Sequence, residues 1–494
     1  MSSAGTRHAS GSDRLSYQNI GLVAGPLIFA VMMLVGGQQS FMPEMAWRVA
    51  AVGLWMGIWW ATEAIPVPAT AFIPLVMFDL LGIAPIATAS QSYAHPIIYL
   101  FLGAFILALA VERWNLHKRI ALAILSRTGT DGAKLILGFM VVAAVLSMWM
   151  TNTSTTMMLL PIAVSVAAVV TDNMASVSDR DKRHFQIALL LGLAYAATIG
   201  GLATLVGTPP NILLAGFLSD TYGIEISFLS WMLVGVPVSV VLLPLAWLIL
   251  TRWAFPFQIP ASEGARSHLR HLRAELGVMS LPEKRVAGIF LAVIVLWMFR
   301  RLISEYTGLT GLSDTGIAMT AALLLFLMPS GSREQSQLMV WHDVSRLPWG
   351  VLILFGGGLS LAAAVSQSGL ALWLGEGLSP LSEFGVIVVI LAAAALVIFL
   401  TELTSNLATA ATFLPVIGAI ATQSGIDVLM LCVPVTLAAS CAFMLPVATP
   451  PNAIVYASGY IRIPDMVRAG VYLNIVSMIL LTMVALWLAP AVLG

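Results

Sequence analysis

Apolar residues in this chain are gathered into long uninterrupted runs separated by short polar segments. A helix needs about 20 apolar residues to cross a bilayer's hydrocarbon core. Runs near 19–37, 46–62, 67–86, 97–126, 185–217, 228–251, 284–303, 314–328, 349–376, 428–458 and 467–493 predict eleven spanning helices. Two further apolar stretches, 134–171 and 384–424, each carry a polar cluster at the middle. These are Thr151-Asn152-Thr153-Ser154-Thr155 and Ser405-Asn406-Leu407-Ala408-Thr409. A polar cluster there marks the tip of a re-entrant hairpin, because exposed polar backbone is tolerated at membrane depth only when it lines a cavity. The pattern therefore predicts an all-α polytopic membrane protein, with about eleven transmembrane helices plus two re-entrant helical hairpins in two inverted repeats.

The repeat is visible beyond the tips. At an offset of 254, Phe101 matches Phe355, Gly103 matches Gly357, Asn152 matches Asn406 and Pro161 matches Pro415. The offset then falls to 241, which sets Thr208-Pro209-Pro210-Asn211 on Thr449-Pro450-Pro451-Asn452. The difference is absorbed between hairpin and next helix, where the first half has a polar loop, Asp172 to His184. Insertions belong in loops.

Charge fixes the orientation. With the N-terminus in the cytoplasm, all of the 23 Lys and Arg residues except Arg48, Arg300 and Arg301 fall on the cytoplasmic side. That is the positive-inside bias, and it holds only if neither hairpin crosses the membrane. The two copies then start on opposite sides, so a pseudo-two-fold axis lies in the membrane plane and the binding site on it, between the tips. The C-terminus falls outside the cell membrane.

Composition agrees: 59% of residues are hydrophobic and 9% charged, against about a quarter charged in soluble proteins. The net charge of zero gives nucleic acid no purchase. No Cys/His cluster, nucleophile–base pair or P-loop is present, so neither an enzyme nor an ATP-driven pump is indicated. Glu63 reads as a helix cap and Glu402 as the more suspicious acid beside a tip. His95 and His117 read as interfacial, and the Gly356–Gly358 run as a place of close helix packing.

At each tip, backbone carbonyls without helical partners stand beside Asn and Ser/Thr oxygens, and a second helix begins. Carbonyl and hydroxyl oxygens suit a hard cation; helix N-termini suit an anion. Symmetry nominates two equivalent Na⁺ sites. The first is Ser147, Thr151, Asn152 and Gly207; the second is Thr401, Thr404, Asn406 and Ala448. Neither tip nor break contains Lys, Arg or His, so an anion there must be met by bound cations and helix dipoles. Asn152 and Asn406 read singly as helix glue; occurring twice beside matching breaks, they read as a site.

At these residues the chain resembles the divalent-anion:sodium symporter family. The resemblance rests on Trp59-Trp60-Ala61-Thr62-Glu63-Ala64-Ile65-Pro66, Leu116-His117-Lys118-Arg119-Ile120-Ala121, both tips, Gly207-Thr208-Pro209-Pro210-Asn211, Phe355-Gly356-Gly357-Gly358 and Thr401-Glu402. It implies Na⁺-coupled symport of C4-dicarboxylates such as succinate, malate and fumarate by an elevator mechanism in a homodimer. A sodium-independent exchanger, or a Na⁺-coupled sulfate or citrate transporter, shares that fold. Substrate contacts are implied for Asn152, Thr153, Thr208, Ser405, Asn406 and Thr449. The implied division is a disordered cytoplasmic tail at 1–18, scaffold helices and the first-repeat start at 19–133, and a transport-domain half at 134–251. A cytoplasmic linker at 252–283, scaffold helices at 284–383 and the second transport-domain half at 384–494 follow. Two departures stand out: Thr151 occupies a position where the family usually has Ser, and Leu407 stands opposite Thr153. The second removes a hydroxyl from the substrate side.

Overall fold

The structure, a computed structural model, describes residues 17–172, 177–332, 336–378 and 384–494. The tail at 1–18 lies almost wholly outside the described residues. Apart from one isolated bridge between Pro329 and Gln337, the regular elements described are all helical. Eight helices among the described residues are long and apolar enough to cross a membrane, and five shorter apolar helices accompany them. The chain is an all-α, multi-spanning membrane protein.

Helix α1 (Tyr17–Val35) packs on α2 (Glu44–Thr62). The expected span 67–86 is broken into Val67–Thr70 and Ile73–Leu80, with Pro66, Pro68 and Pro74 each denying the helix a donor. The expected span 97–126 is likewise divided, into α3 (Pro96–Arg113) and α4 (Leu116–Leu125). Asn115 turns between them at φ 56°, a left-handed conformation that Asn tolerates better than most residues. The first helix pair follows, α5 (Gly132–Ser147) and α6 (Asn152–Asp172). Then come α7 (Asp179–Leu202), α8 (Pro209–Tyr222) and α9 (Phe228–Leu248). The linker holds an amphipathic helix, α10 (Glu263–Glu275), before α11 (Leu281–Thr307) and α12 (Asp314–Leu327).

The second half repeats the order. The run 349–376 divides into α13 (Trp349–Gln367) and α14 (Leu370–Leu378). Gly369 sits between them at φ 80°, 254 positions after Asn115. The second helix pair is α15 (Val386–Thr401) and α16 (Asn406–Gln423). It is followed by α17 (Val428–Ala439), α18 (Pro450–Ala457) and α19 (Ile463–Met483). Part of the extra length in the first half lengthens α7, which begins about two turns before the position matching Val428.

Packing interleaves the halves. α5 and α6 lie on α7, as α15 and α16 lie on α17. Across the halves, α6 meets α18 while α16 meets α8, and α7 meets α18 while α8 meets α17. Each helix pair is thus lodged against the broken helix of the other copy. The expected role of the Gly356–Gly358 run holds. A methyl on Gly356 would run into the Tyr93 ring, and one on Gly357 would lie 2.5 Å from Ala71 Cβ.

Candidate ion and anion site

The two Thr-Pro-Pro-Asn motifs produce the same backbone twice. Thr208 is extended at φ −141°, ψ 140° and Thr449 at φ −142°, ψ 149°. The prolines that follow open α8 and α18, where a helix has no use for their missing N–H groups. The asparagine then reaches back. Asn211 Nδ2 donates to Thr204 O at 2.8 Å and to Gly201 O and Leu202 O at 3.3 and 3.4 Å. Asn452 Nδ2 donates to Leu445 O at 3.0 Å and Ala442 O at 3.4 Å. Both asparagines are fully buried, and they staple the unwound segments 203–208 and 440–449 against their own helices.

Behind the first tip, Ser147 Oγ donates to Asn152 Oδ1 at 2.5 Å. A methyl on Gly201 would lie 2.6 Å from Asn152 Oδ1 and 3.1 Å from Gly207 O. Ser147, Asn152 and Gly207 therefore converge on one small space walled by the Gly201 backbone. Thr151 is turned elsewhere: its Oγ1 accepts from Ser154 N at 3.1 Å and donates to Ser154 Oγ at 3.0 Å, capping α6.

Behind the second tip, the inner face of the Asn406 amide lies 3.1 Å from Thr401 Oγ1, 3.2 Å from Ala439 O and 3.3 Å from Ala448 O. With its nitrogen inward, the amide donates to these oxygens. With its oxygen inward, four oxygens face one another, the donor set of a hard cation. Thr401 Oγ1 also donates to Ala439 O at 2.8 Å. Ala439 carries no side-chain signal, and nothing in the sequence nominates it. Thr404 is engaged with Thr409 Oγ1 at 2.6 Å and donates to Leu400 O.

In front of both tips lies a cavity of about 740 Å³. All six substrate nominees line it: Asn152, Thr153, Thr208, Ser405, Asn406 and Thr449. Ser147, Thr401 and Thr404 are buried behind it. Four helices, α6, α8, α16 and α18, begin at residues that line this one cavity. The free N–H groups that open α6 and α16, with the dipoles of all four helices, favour an anion there without any cationic residue in the tips. Leu407 lines the wall opposite Thr153, so one side is less polar.

Several supporting residues escape a sequence reading. Glu402 accepts from the backbone N–H groups of Phe443 (2.8 Å), Met444 (3.0 Å) and Leu445 (3.0 Å), and from Asn474 Nδ2 (2.7 Å). Its carboxylate holds the second break open rather than facing the cavity. Thr204 Oγ1 donates to Met148 O at 2.5 Å and accepts from Gly207 N at 3.0 Å. Tyr195 in α7 donates to Phe443 O at 2.7 Å. Glu63 ends α2 in a left-handed conformation, its N–H bonded to Trp59 O, as a helix cap should. His95 caps α3 through Nδ1. His117 departs from expectation: it is buried, with Nδ1 against Val111 O at 3.0 Å.

The family model described as "Sodium:sulfate symporter transmembrane region" matches residues 17–493, and the chain belongs to that family. The resemblance to divalent-anion:sodium symporters thus holds, and the protein is a transporter-family member rather than an enzyme. Among its relatives is the sodium-dependent dicarboxylate transporter SdcS of Staphylococcus saprophyticus. It is 41% identical over 480 residues, covering 97% of this chain and 92% of the relative. SdcS of a Staphylococcus aureus strain is 42% identical over the same coverage. Of solved structures, Neisseria gonorrhoeae MtrF, from a work on a class of antimetabolite efflux pumps, aligns at TM-score 0.54 with 12% identity. The alignment covers 81% of this chain and 83% of MtrF; this likeness concerns the fold alone.

Proposed function

We propose that this protein is a secondary active transporter that moves C4-dicarboxylates (succinate, malate, fumarate) together with Na⁺. The observation that carries this reading is the pairing of two oxygen-lined spaces, one behind each tip, with a single cavity onto which four helix N-termini open. Sodium ions at Ser147, Asn152 and Gly207, and at Thr401, Asn406, Ala439 and Ala448, would offset the charge of a dianion held by the tips. Thr151 shapes the first space through its cap of α6, and Thr404 the second through its bonds to Leu400 O and Thr409 Oγ1. The dicarboxylate assignment draws on the SdcS relatives, whose names carry that substrate.

The matched helix orders and matched breaks support two inverted repeats, with about eleven spans and two re-entrant hairpins. The N-terminus is then cytoplasmic and the C-terminus extracytoplasmic. Residues 134–251 and 384–494 form the moving transport domain, 19–133 and 284–383 the scaffold, and 252–283 the cytoplasmic linker. A homodimer and an elevator movement complete the reading.

Uptake of radiolabelled succinate into proteoliposomes, with an inward Na⁺ gradient against K⁺ or choline, tests it. Sodium-dependent uptake is expected, and Asn152→Ala and Asn406→Ala each reduce it at least about tenfold, the loss of roughly 1.4 kcal/mol or more of binding. Uptake that ignores sodium but needs internal dicarboxylate makes the protein an exchanger. Leu407 favours a second reading, sulfate or citrate as cargo, which competition against succinate decides.

A further inference from the structure

Outside the tips and breaks, the cavity lining carries charge. Glu63, Glu112 and Arg346 line it, and Arg346 Nη2 is paired with Glu112 Oε1. Arg346 is the one basic residue among those lining the cavity. Its side chain is 53% exposed and that of Glu112 30% exposed. Beside them, Arg113 and Asp343 form a second ion pair whose side chains are only 12% and 17% exposed. Asp343 also accepts from Val340 N at 2.9 Å, fixing the turn Trp341–Arg346 that leads into α13. The buried pair anchors the segment; the exposed pair adds little to stability, as solvent-facing ion pairs generally do.

The repeat supports the same division. The positions matching Arg346 and Glu112 at an offset of 254 are Ser92 and Ser366. The other copy carries two serines at these positions, so the repeat does not carry the ion pair over.

We propose that Arg346 is a capture residue for the anionic substrate: its guanidinium exchanges Glu112 for a substrate carboxylate at the cavity mouth, and Glu112 competes for it. This rests on the anion-transport reading above. A planar guanidinium matches a carboxylate with two parallel hydrogen bonds. Glu63 and Glu112 leave these charged residues no net positive charge, so the guanidinium acts by direct contact, which salt weakens. Glu112 keeps the capture weak enough for the substrate to move on to the tips.

The two partners must then act in opposite directions. Arg346→Gln raises the KM for the anion roughly three- to tenfold and flattens its dependence on ionic strength. Glu112→Gln frees the guanidinium and lowers KM roughly two- to fivefold. Half-saturation by Na⁺, set behind the tips, stays unchanged in both. The experiment measures initial rates of succinate and of sulfate transport in right-side-out and inside-out vesicles, from about 20 to about 300 mM salt, a range spanning Debye lengths from about 20 to 6 Å. Opposite KM shifts on at least one face support the proposal. Shifts of the same sign, as loss of a merely structural pair would give, or no shift on either face, overturn it while leaving the transport reading intact. If the wild type carries sulfate but not succinate, the dicarboxylate reading fails and the mouth is judged on sulfate. If it carries neither, both fall.

Discussion

In the first half of the molecule, the turn between α5 and α6 is tied to the neighbouring break by a hydroxyl, Thr204 Oγ1 to Met148 O. In the second half the same turn is tied by a carboxylate, Glu402 to the N–H groups of Phe443, Met444 and Leu445. Met148 matches Glu402 at an offset of 254, and Thr204 matches Leu445 at 241. It is therefore one contact made with its roles exchanged. In the first half the break supplies a side-chain donor and the tip a backbone acceptor; in the second the tip supplies a side-chain acceptor and the break its backbone donors. The spaces behind the tips differ as well. Gly201 and Gly207 wall the first, whereas Ala442 and Ala448 stand at the matching positions of the second. A repeat can thus hold its backbone in register while its fasteners diverge.

Removing the fasteners should expose the difference. Glu402→Ala leaves three buried N–H groups unpaired, at about 1–3 kcal/mol each. It should lower the thermal midpoint in detergent by far more than Gly201→Ala, Thr204→Val or Leu407→Thr, and abolish uptake. A midpoint within about a degree or two of wild type would mean that the second break does not depend on the carboxylate. Next in size, Gly201→Ala pushes a methyl to 2.6 Å from Asn152 Oδ1. Sodium-dependent uptake should fall by more than about tenfold, whereas Ala442→Gly in the other half should change it little. An ordinary sodium response in Gly201→Ala would show that the first space has slack. Thr204→Val removes one hydrogen bond to Met148 O and one acceptor for Gly207 N, at about 1–2 kcal/mol. Its midpoint shift should be clearly smaller than that of Glu402→Ala, and equal shifts would erase the contrast between hydroxyl and carboxylate. Smallest of all, Leu407→Thr restores the hydroxyl that Thr153 supplies opposite. The ratio of succinate to sulfate inhibition should move by about 1 kcal/mol, roughly fivefold; an unchanged ratio would remove Leu407 from the choice of anion.

The tips and breaks were legible because both sequence and chemistry single them out. Polar residues and paired prolines inside apolar runs have few other uses, and their repetition located the cavity wall. Glu402 was visible only as an oddity. Its partners are backbone N–H groups 41 to 43 residues away and Asn474, 72 away, and a backbone donor has no signature in a sequence. Ala439 escaped for the same reason, since it contributes a carbonyl alone. The division of 97–126 did have a sequence signal, which the long apolar runs on either side outweigh. Asn115 is flanked by Glu112, Arg113, His117, Lys118 and Arg119, a polar interruption that marks the junction as clearly as its left-handed φ does. Spacing also does not say what a hydroxyl already bonds: Thr151 Oγ1 caps α6, and Thr404 Oγ1 donates to Leu400 O.

Tyr195 joins what the repeat keeps separate. It lies in α7, less than two turns before Gly201, and its hydroxyl is bonded to Phe443 O inside the second half's break. Phe443 in turn donates to Glu402. The wall of the space behind the first tip and the latch of the second break are thus links of one chain of hydrogen bonds and helix backbone. The backbone beside Asn152 in one half and the carboxylate of Glu402 in the other are therefore a few bonded residues apart, although the two belong to different copies of the repeat.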